Sequence, residues 1–175
     1  MTPPSAPQPT DSDVTAAALA QLDRLQTFFG RVEGKASFLF AVNLALLGSV
    51  AVATPLSALR SPAGVSGFIA TVLLGFSMIN LYAAFYPHLK NPRASVLYFA
   101  DIARLTAEEY RARIKNATSS EMADDTLCQV WRNAQILDKK FKRSRSAFLL
   151  TAAAIPFWLA LLALGVASDG KLPGL

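Results

Sequence analysis

Three stretches of this chain lose almost all their polar residues. Ala36 to Thr54 is apolar apart from Ser37, Asn43 and Ser49. As a helix it would extend about 28 Å, close to the hydrocarbon thickness of a bilayer. Val65 to Tyr86 is a second run without charge, and Ser146 to Ala167 is a third. One such run would suit a buried helix of a soluble protein. Three of them in 175 residues argue for transmembrane helices at 36–54, 65–86 and 146–167.

Outside these runs the pattern turns amphipathic. Leu22, Leu25, Phe29, Val32 and Ala36 recur at spacings of three and four and lay one apolar seam along a helix. The seam runs straight into the first span. One helix from about Asp13 to Thr54 is therefore expected, its 13–35 part lying outside the membrane, with Gly30 and Gly34 weakening it locally. Asn91-Pro92 has the form of a helix start, asparagine as cap and proline in the first turn, with RASVLYFADIARL following as helix. Thr106-Ala-Glu-Glu109 has the spacing of a capping box, and Asn116 to Ser120 reads as a turn. From about Glu121 a second seam of Leu127, Val130, Ala134, Leu137, Phe141, Ser144 and Phe148 carries a long helix into the third span. Pro156 cannot donate to the Ala152 carbonyl and should kink it. The opening MTPPSAPQPTDSD is proline-rich and polar, with no basic segment leading into an apolar one. Residues 1–12 read as a disordered tail.

The expected architecture is an all-α integral membrane protein. Three transmembrane helices carry a small cytoplasmic helical bundle, formed by extensions of the first and third spans and by the connection at 87–145. Orientation follows from the basic residues. Arg24, Arg31 and Lys35 precede the first span and twelve Lys or Arg lie between Pro87 and Arg145; only Arg60 and Lys171 fall on the other side. That places the N-terminus and the 87–145 segment in the cytoplasm, with the 55–64 loop and the 168–175 tail outside.

Composition then narrows the chemistry. The formal charge of +5 is mostly this topology signal. Asp101, Glu108, Glu109, Asp124 and Asp125 interleave the basic residues, which weakens a nucleic-acid reading. A single cysteine, Cys128, excludes an internal disulfide and any multi-cysteine metal site, and a single histidine, His88, removes most histidine-based catalysis. No phosphate-cradling glycine loop, zinc-protease helix or nucleophile elbow is present. An integral-membrane enzyme would need carboxylates, histidines or a metal set at membrane depth, and the spans hold no charged residue. His88 reads as interfacial and Cys128 as a buried inert thiol.

Asn43 stands apart. An amide in mid-bilayer is costly unless it bonds another helix or faces water, so it should point into a helix interface. Ala41, Ala45, Ser49 and Ala53 repeat every four residues and give the same helix a small-residue face, available for packing within one chain or between chains. Three spans cannot enclose a pore, so conduction would require an oligomer. Lys139-Lys140-Phe141-Lys142-Arg143-Ser144-Arg145, just before the third span, suits anionic lipid headgroups, or else a phosphate-bearing ligand.

The order of motifs resembles the transmembrane effectors of the Pycsar antiphage systems, the pyrimidine cyclic nucleotide defence of bacteria. Glu33-Gly-Lys-Ala36 leads into the first span with Asn43 inside it. Tyr98-Phe-Ala-Asp101-Ile precedes Thr106-Ala-Glu-Glu-Tyr110, and Gln129 through Ala134 to Lys140-Phe141 stands ahead of the last span. The likeness covers about residues 22–167. Its short motifs gain specificity from their order and the membrane layout. In the family pattern the acid two positions before the lysine is usually aspartate; here it is Glu33.

The resemblance implies a non-enzymatic inner-membrane effector without a cofactor. Its signal would be cyclic UMP or cyclic CMP made by a partner cyclase, and its output a loss of membrane integrity that aborts infection. A homo-oligomer in contact with membrane lipids is the implied working form. On this reading the nucleotide binds in the bundle or between subunits, with Lys35, Lys139, Lys140 or Arg143 toward the phosphate. Asp101, Gln129 or Asn133 would read the base. A lipid- or partner-binding scaffold that never opens a pore is the alternative. Glu33 has no anchoring purpose, which marks the start of the first span as a candidate coupling element.

Overall fold

The computed structural model describes residues 8–54, 60–86 and 95–169, the last three without their side chains. All regular structure there is helical: α1 (Asp11–Ala53), α2 (Pro62–Phe85), α3 (Phe99–Ile102), α4 (Ala107–Asn116) and α5 (Ser119–Asp169). Each long element starts on a side-chain cap. Thr10 accepts from the Asp13 amide at 3.3 Å, and the Asp13 carboxylate takes the Thr10 amide at 3.0 Å. Thr106 with Glu109 and Thr118 with Glu121 repeat the same reciprocal box. Ser61 caps α2 by accepting from the Gly64 amide at 3.1 Å, with Pro62 in the first turn.

The helices sort into two units, Met1–Gly30 with Pro87–Asp138 and Arg31–Tyr86 with Lys139–Leu175. Three helices are long and apolar enough to cross a membrane, and the apolar windows lie in α1, α2 and α5. α1 and α5 each contribute residues to both units.

In the second unit the buried positions follow a heptad. On α2 they are Gly67, Ala70, Leu74, Ser77, Leu81 and Ala84, with Gly64 also buried one position off the repeat; α1 adds Ala36, Asn43 and Val50; α5 adds Ala147, Thr151, Ala154 and Leu161. A mean spacing of 3.5 residues is that of helices wound around a left-handed seam. Small side chains dominate it, since in lipid close backbone approach drives association rather than the burial of large apolar groups. Gly67 is where approach is tightest. A Cβ there would stand 2.7 Å from Thr54 Oγ1 and 3.4 Å from Leu161 Cδ2. Large side chains such as Phe38, Val52, Phe68, Ile79 and Phe148 point outward.

The first unit is held differently. Ala18 and Leu25 of α1 and Ala123, Thr126 and Gln129 of α5 are buried, while α4 buries no residue. The α1 seam is as expected, with Leu25 and Ala36 buried and Leu22, Phe29 and Val32 half-buried. On α5 the expected seam holds only in part: Val130, Leu137 and Ser144 are half-buried. Leu127, Phe141 and Phe148 are exposed, and the packed face lies about one residue away. Two forces turn it: Asp125 and Gln129 hydrogen-bond the 95–98 segment, and further along the small residues Ala147, Thr151 and Ala154 admit closer contact than Phe148 would.

The expected helix over 93–105 also shrinks. Residues 95–98 are non-helical and α3 is a single turn. Ser95 is the cause. Its hydroxyl accepts from the amides of Leu97 (3.1 Å) and Tyr98 (3.0 Å), offering a competing partner where a helix would need none. The Asn91-Pro92 start, His88 and the tail beyond Asp169 lie outside the described residues. The expected turn at 116–120 is a two-residue break, Ala117 and Thr118. α5 continues through Pro156. Of the small-residue face on α1, Ser49 and Ala53 pack inward, whereas Ala41 and Ala45 are exposed.

Candidate functional site

Asn43 is wholly buried and joins all three spanning helices, as the sequence led one to expect. Its Nδ2 donates to Ser77 Oγ of α2 at 2.7 Å, and its Oδ1 accepts from Thr151 Oγ1 of α5 at 2.8 Å. Ser77 in turn donates to the Ala147 carbonyl at 2.9 Å. Ser77 and Thr151 are themselves 2.9 Å apart, and Thr151 also reaches the Ala147 carbonyl at 3.0 Å. Each polar group in the cluster has a partner, which is what makes it tolerable in an apolar medium. Nearer the other end of the spans, Trp158 Nε1 donates to Ser49 Oγ at 2.7 Å, tying α1 to α5 a second time.

Charged contacts gather at the beginning of the first apolar run. Lys140 of α5 forms an ion pair with Glu33 of α1, Lys140 being mostly buried and Glu33 about half exposed. Glu33 thus has a definite employment. Arg143 donates to the carbonyl of Ala83 near the end of α2. Residue 87, four positions on, is proline and has no amide to offer that carbonyl. A cation at a helix C-terminus is also favoured by the helix dipole, and α2 has no basic residue of its own in its last turn.

The other polar cluster is built around Ser95, which is 2% exposed. Its hydroxyl donates to Asp125 at 2.9 Å and accepts from Gln129 Nε2 at 3.1 Å. Its amide donates to Asp101 at 3.1 Å, and Asp125 also takes the Val96 amide at 2.9 Å. The Arg132 guanidinium lies 4.8 Å over the Tyr98 ring, a cation–π contact. Asn133 donates to the Gln129 carbonyl at 2.9 Å.

The seven candidate residues therefore divide. Asp101, Gln129 and Asn133 belong to the first unit, the first two holding Ser95. Lys35, Lys139, Lys140 and Arg143 belong to the second; Lys35 and Lys139 are exposed, and the other two make the contacts above. A shallow cleft of about 360 Å³ in the first unit, lined by Ser12, Thr15, Leu19, Ser119 and Met122 among others, carries no lysine or arginine. Sequence reasoning missed Ser77, Thr151 and the Ser95–Asp125 pair, and passed over Asn80. Among the described residues the Asn80 amide donates only to Phe76 of its own helix, at 2.9 Å. The signal for Ser77 and Thr151 was available: both hydroxyls fall on the small-residue heptad phase of their helices.

A three-span helical membrane protein, closed by a buried hydrogen-bonded core and a charged clasp, is the class this fold defines. Residues 17–167 match the PycTM family model, described as a Pycsar effector protein domain, and the chain belongs to that family. It is accordingly a Pycsar effector with transmembrane helices, and the family implies a part in antiphage defence. No curated protein and no solved structure matches it.

Proposed function

We propose that this protein is an inner-membrane effector that senses a cyclic pyrimidine mononucleotide, cyclic UMP or cyclic CMP, and answers by breaking membrane integrity. The observation that carries the reading is the family match over nearly the whole chain, joined to three helices of spanning length. A partner cyclase supplies the nucleotide, and the effector itself performs no reaction. The N-terminus and the 87–145 region face the cytoplasm, where the nucleotide is made, and the C-terminus faces the periplasm. Several copies assemble to act, because three helices are too few to surround an aqueous path.

A ligand shifts a protein only through unequal affinity for two states. Lys140 offers such an inequality. A nucleotide phosphate drawn to Lys35, Lys139, Lys140 or Arg143 would compete with Glu33 for Lys140, loosening α1 from α5 where they meet the bilayer. Asp101, Gln129 and Asn133 remain the candidates for reading the base; doing so would exchange the contacts of Asp101 and Gln129 with Ser95, and of Asn133 with the Gln129 carbonyl, for contacts with ligand.

The deciding experiment titrates cyclic UMP and cyclic CMP against the purified protein by calorimetry and against dye-loaded proteoliposomes. Binding with dye release supports the proposal. Binding without release favours the scaffold that never opens a pore, and no binding of either nucleotide overturns the sensing reading.

A further inference from the structure

Along the spanning helices the buried residues change character in layers. Ala36, Leu81 and Ala147 form one apolar cluster, with Leu39 and Phe40 against it. Val50, Ala70 and Leu161 form another, with Ala53, Ala63 and Trp158. Between them lies the Asn43–Ser77–Thr151 network. Asn43 is seven residues from Ala36 and seven from Val50, so about 10 Å of helix separates the polar layer from each apolar one.

Packing alone does not ask for such a layer. Aliphatic side chains of similar size would fill the same space, and polar groups at membrane depth mark function by default. The network is satisfied only while α1, α2 and α5 touch. Once they part, an amide and two hydroxyls face hydrocarbon, an arrangement that is costly until water reaches them. Apolar constrictions behave in the opposite way, shedding water and closing to it.

We infer that the Asn43–Ser77–Thr151 layer is the closed-state latch of the spanning bundle and the surface that water and small ions meet when the helices separate. This rests on the reading of the chain as a nucleotide-triggered, membrane-breaking effector. Intact, the layer holds three helices in one register; opened, it draws water into the membrane between two layers that otherwise exclude it. The same three side chains thus set both the resistance to opening and the wetness of the opened state.

The test uses the full chain in proteoliposomes with Cys128→Ser, which removes a thiol that is exposed rather than buried as the sequence suggested. Leu74→Cys then places a reporter beside Ser77 at a wholly buried position outside the network. A charged methanethiosulfonate reagent is applied with and without cyclic UMP or cyclic CMP while dye release is followed in the same vesicles. The reporter is expected to resist the reagent without nucleotide and to react at least about tenfold faster with the nucleotide that releases dye. Asn43→Leu, which unlatches the closed state but leaves the opened one apolar, is expected to bind that nucleotide no more weakly and, at saturating nucleotide, to release dye at least about tenfold more slowly. Dye release with the reporter still protected overturns the inference and leaves the effector reading standing. So does labelling without nucleotide, or an Asn43→Leu variant that leaks like its parent. If neither nucleotide releases dye from the parent, the effector reading fails and the inference falls with it.

Discussion

Asn43→Ala tests the bundle where its energetics are most concentrated. The substitution removes two interhelical hydrogen bonds, to Ser77 and from Thr151. Such bonds in membrane proteins average about 0.6 kcal/mol each and reach about 1.7 kcal/mol. The missing amide leaves a void of a few tens of Å³, adding on the order of 0.5–1 kcal/mol at roughly 24 cal/mol per Å³. Ser77 and Thr151 are not stranded, because both still reach the Ala147 carbonyl, so no orphan penalty is added. The expected loss is about 1.5–3 kcal/mol. Asn80→Ala is the matched control, an amide in the same bundle that among the described residues bonds only its own helix, and should change stability by less than about 0.5 kcal/mol. Unfolding by dodecyl sulfate from mixed micelles, followed by circular dichroism, measures both. A double-mutant cycle with Thr151→Val should return a coupling of about 0.6 kcal/mol or more. Equal losses for Asn43→Ala and Asn80→Ala, or no coupling in the cycle, would refute the assignment of the network as the joint of the three helices.

Three further outcomes are expected. Gly67→Leu should destabilise by about 1–3 kcal/mol in the same assay by driving Thr54 and Leu161 apart, whereas Gly75→Leu, with nothing within 4 Å of its Cβ, should be tolerated. Glu33→Gln and Lys140→Met should each cost about 0.5–1 kcal/mol, discounted because Glu33 is half exposed, with little further loss when combined; full additivity would show that the pair does not interact. The capping carboxylates give a pH dependence. The Thr10 hydroxyl and then its amide hold Asp13 below the ordinary carboxylate range. The Thr106 and Thr118 amides, then their hydroxyls, do the same for Glu109 and Glu121. A depressed folded-state value means the stabilisation is fully present above the unfolded value, roughly pH 4. It is lost as pH falls through the lower folded value. The protection factors of the Thr10, Thr106 and Thr118 amides, corrected for the intrinsic pH dependence of exchange, should therefore be constant from pH 8 to 5 and fall below about pH 4; a fall between pH 8 and 5 would contradict the caps.

How much of this was legible in the chain depended on the kind of interaction. The three long apolar helices were legible because excluding charge from hydrocarbon leaves a composition signal that no packing detail can erase. Thr106 and Glu109 were legible because a capping box is a local contract between residues three apart. Asn43 was legible as a polar residue needing a partner, but its partners were not, since Ser77 and Thr151 lie 34 and 108 residues away. The α5 seam failed in part, for an instructive reason. Leu127, Phe141 and Phe148 form a convincing apolar period, yet within the span a helix facing lipid gains nothing by hiding Phe148 and the small residues beside it take the contact, while near Leu127 the hydrogen bonds of Asp125 and Gln129 set the packed face. Ser95 defeated the 93–105 helix because its hydroxyl competes for local amides, while Asp125 and Gln129, far along the chain, stabilise the competing shape.

The Arg143–Ala83 contact bears on the order in which the chain can be completed. A ribosome delivers α1 and α2 to the membrane before α5 exists, and those two can already pair through Asn43 and Ser77. The end of α2 is another matter. Its Ala83 carbonyl finds a proline where the next turn would have supplied a donor, and the guanidinium that serves instead is sixty residues away. Thr151, which closes the network, arrives later still. The last helix is therefore the keystone: the hairpin before it is an intermediate with one end unfinished, and a nascent chain becomes a closed bundle only when its final span has entered.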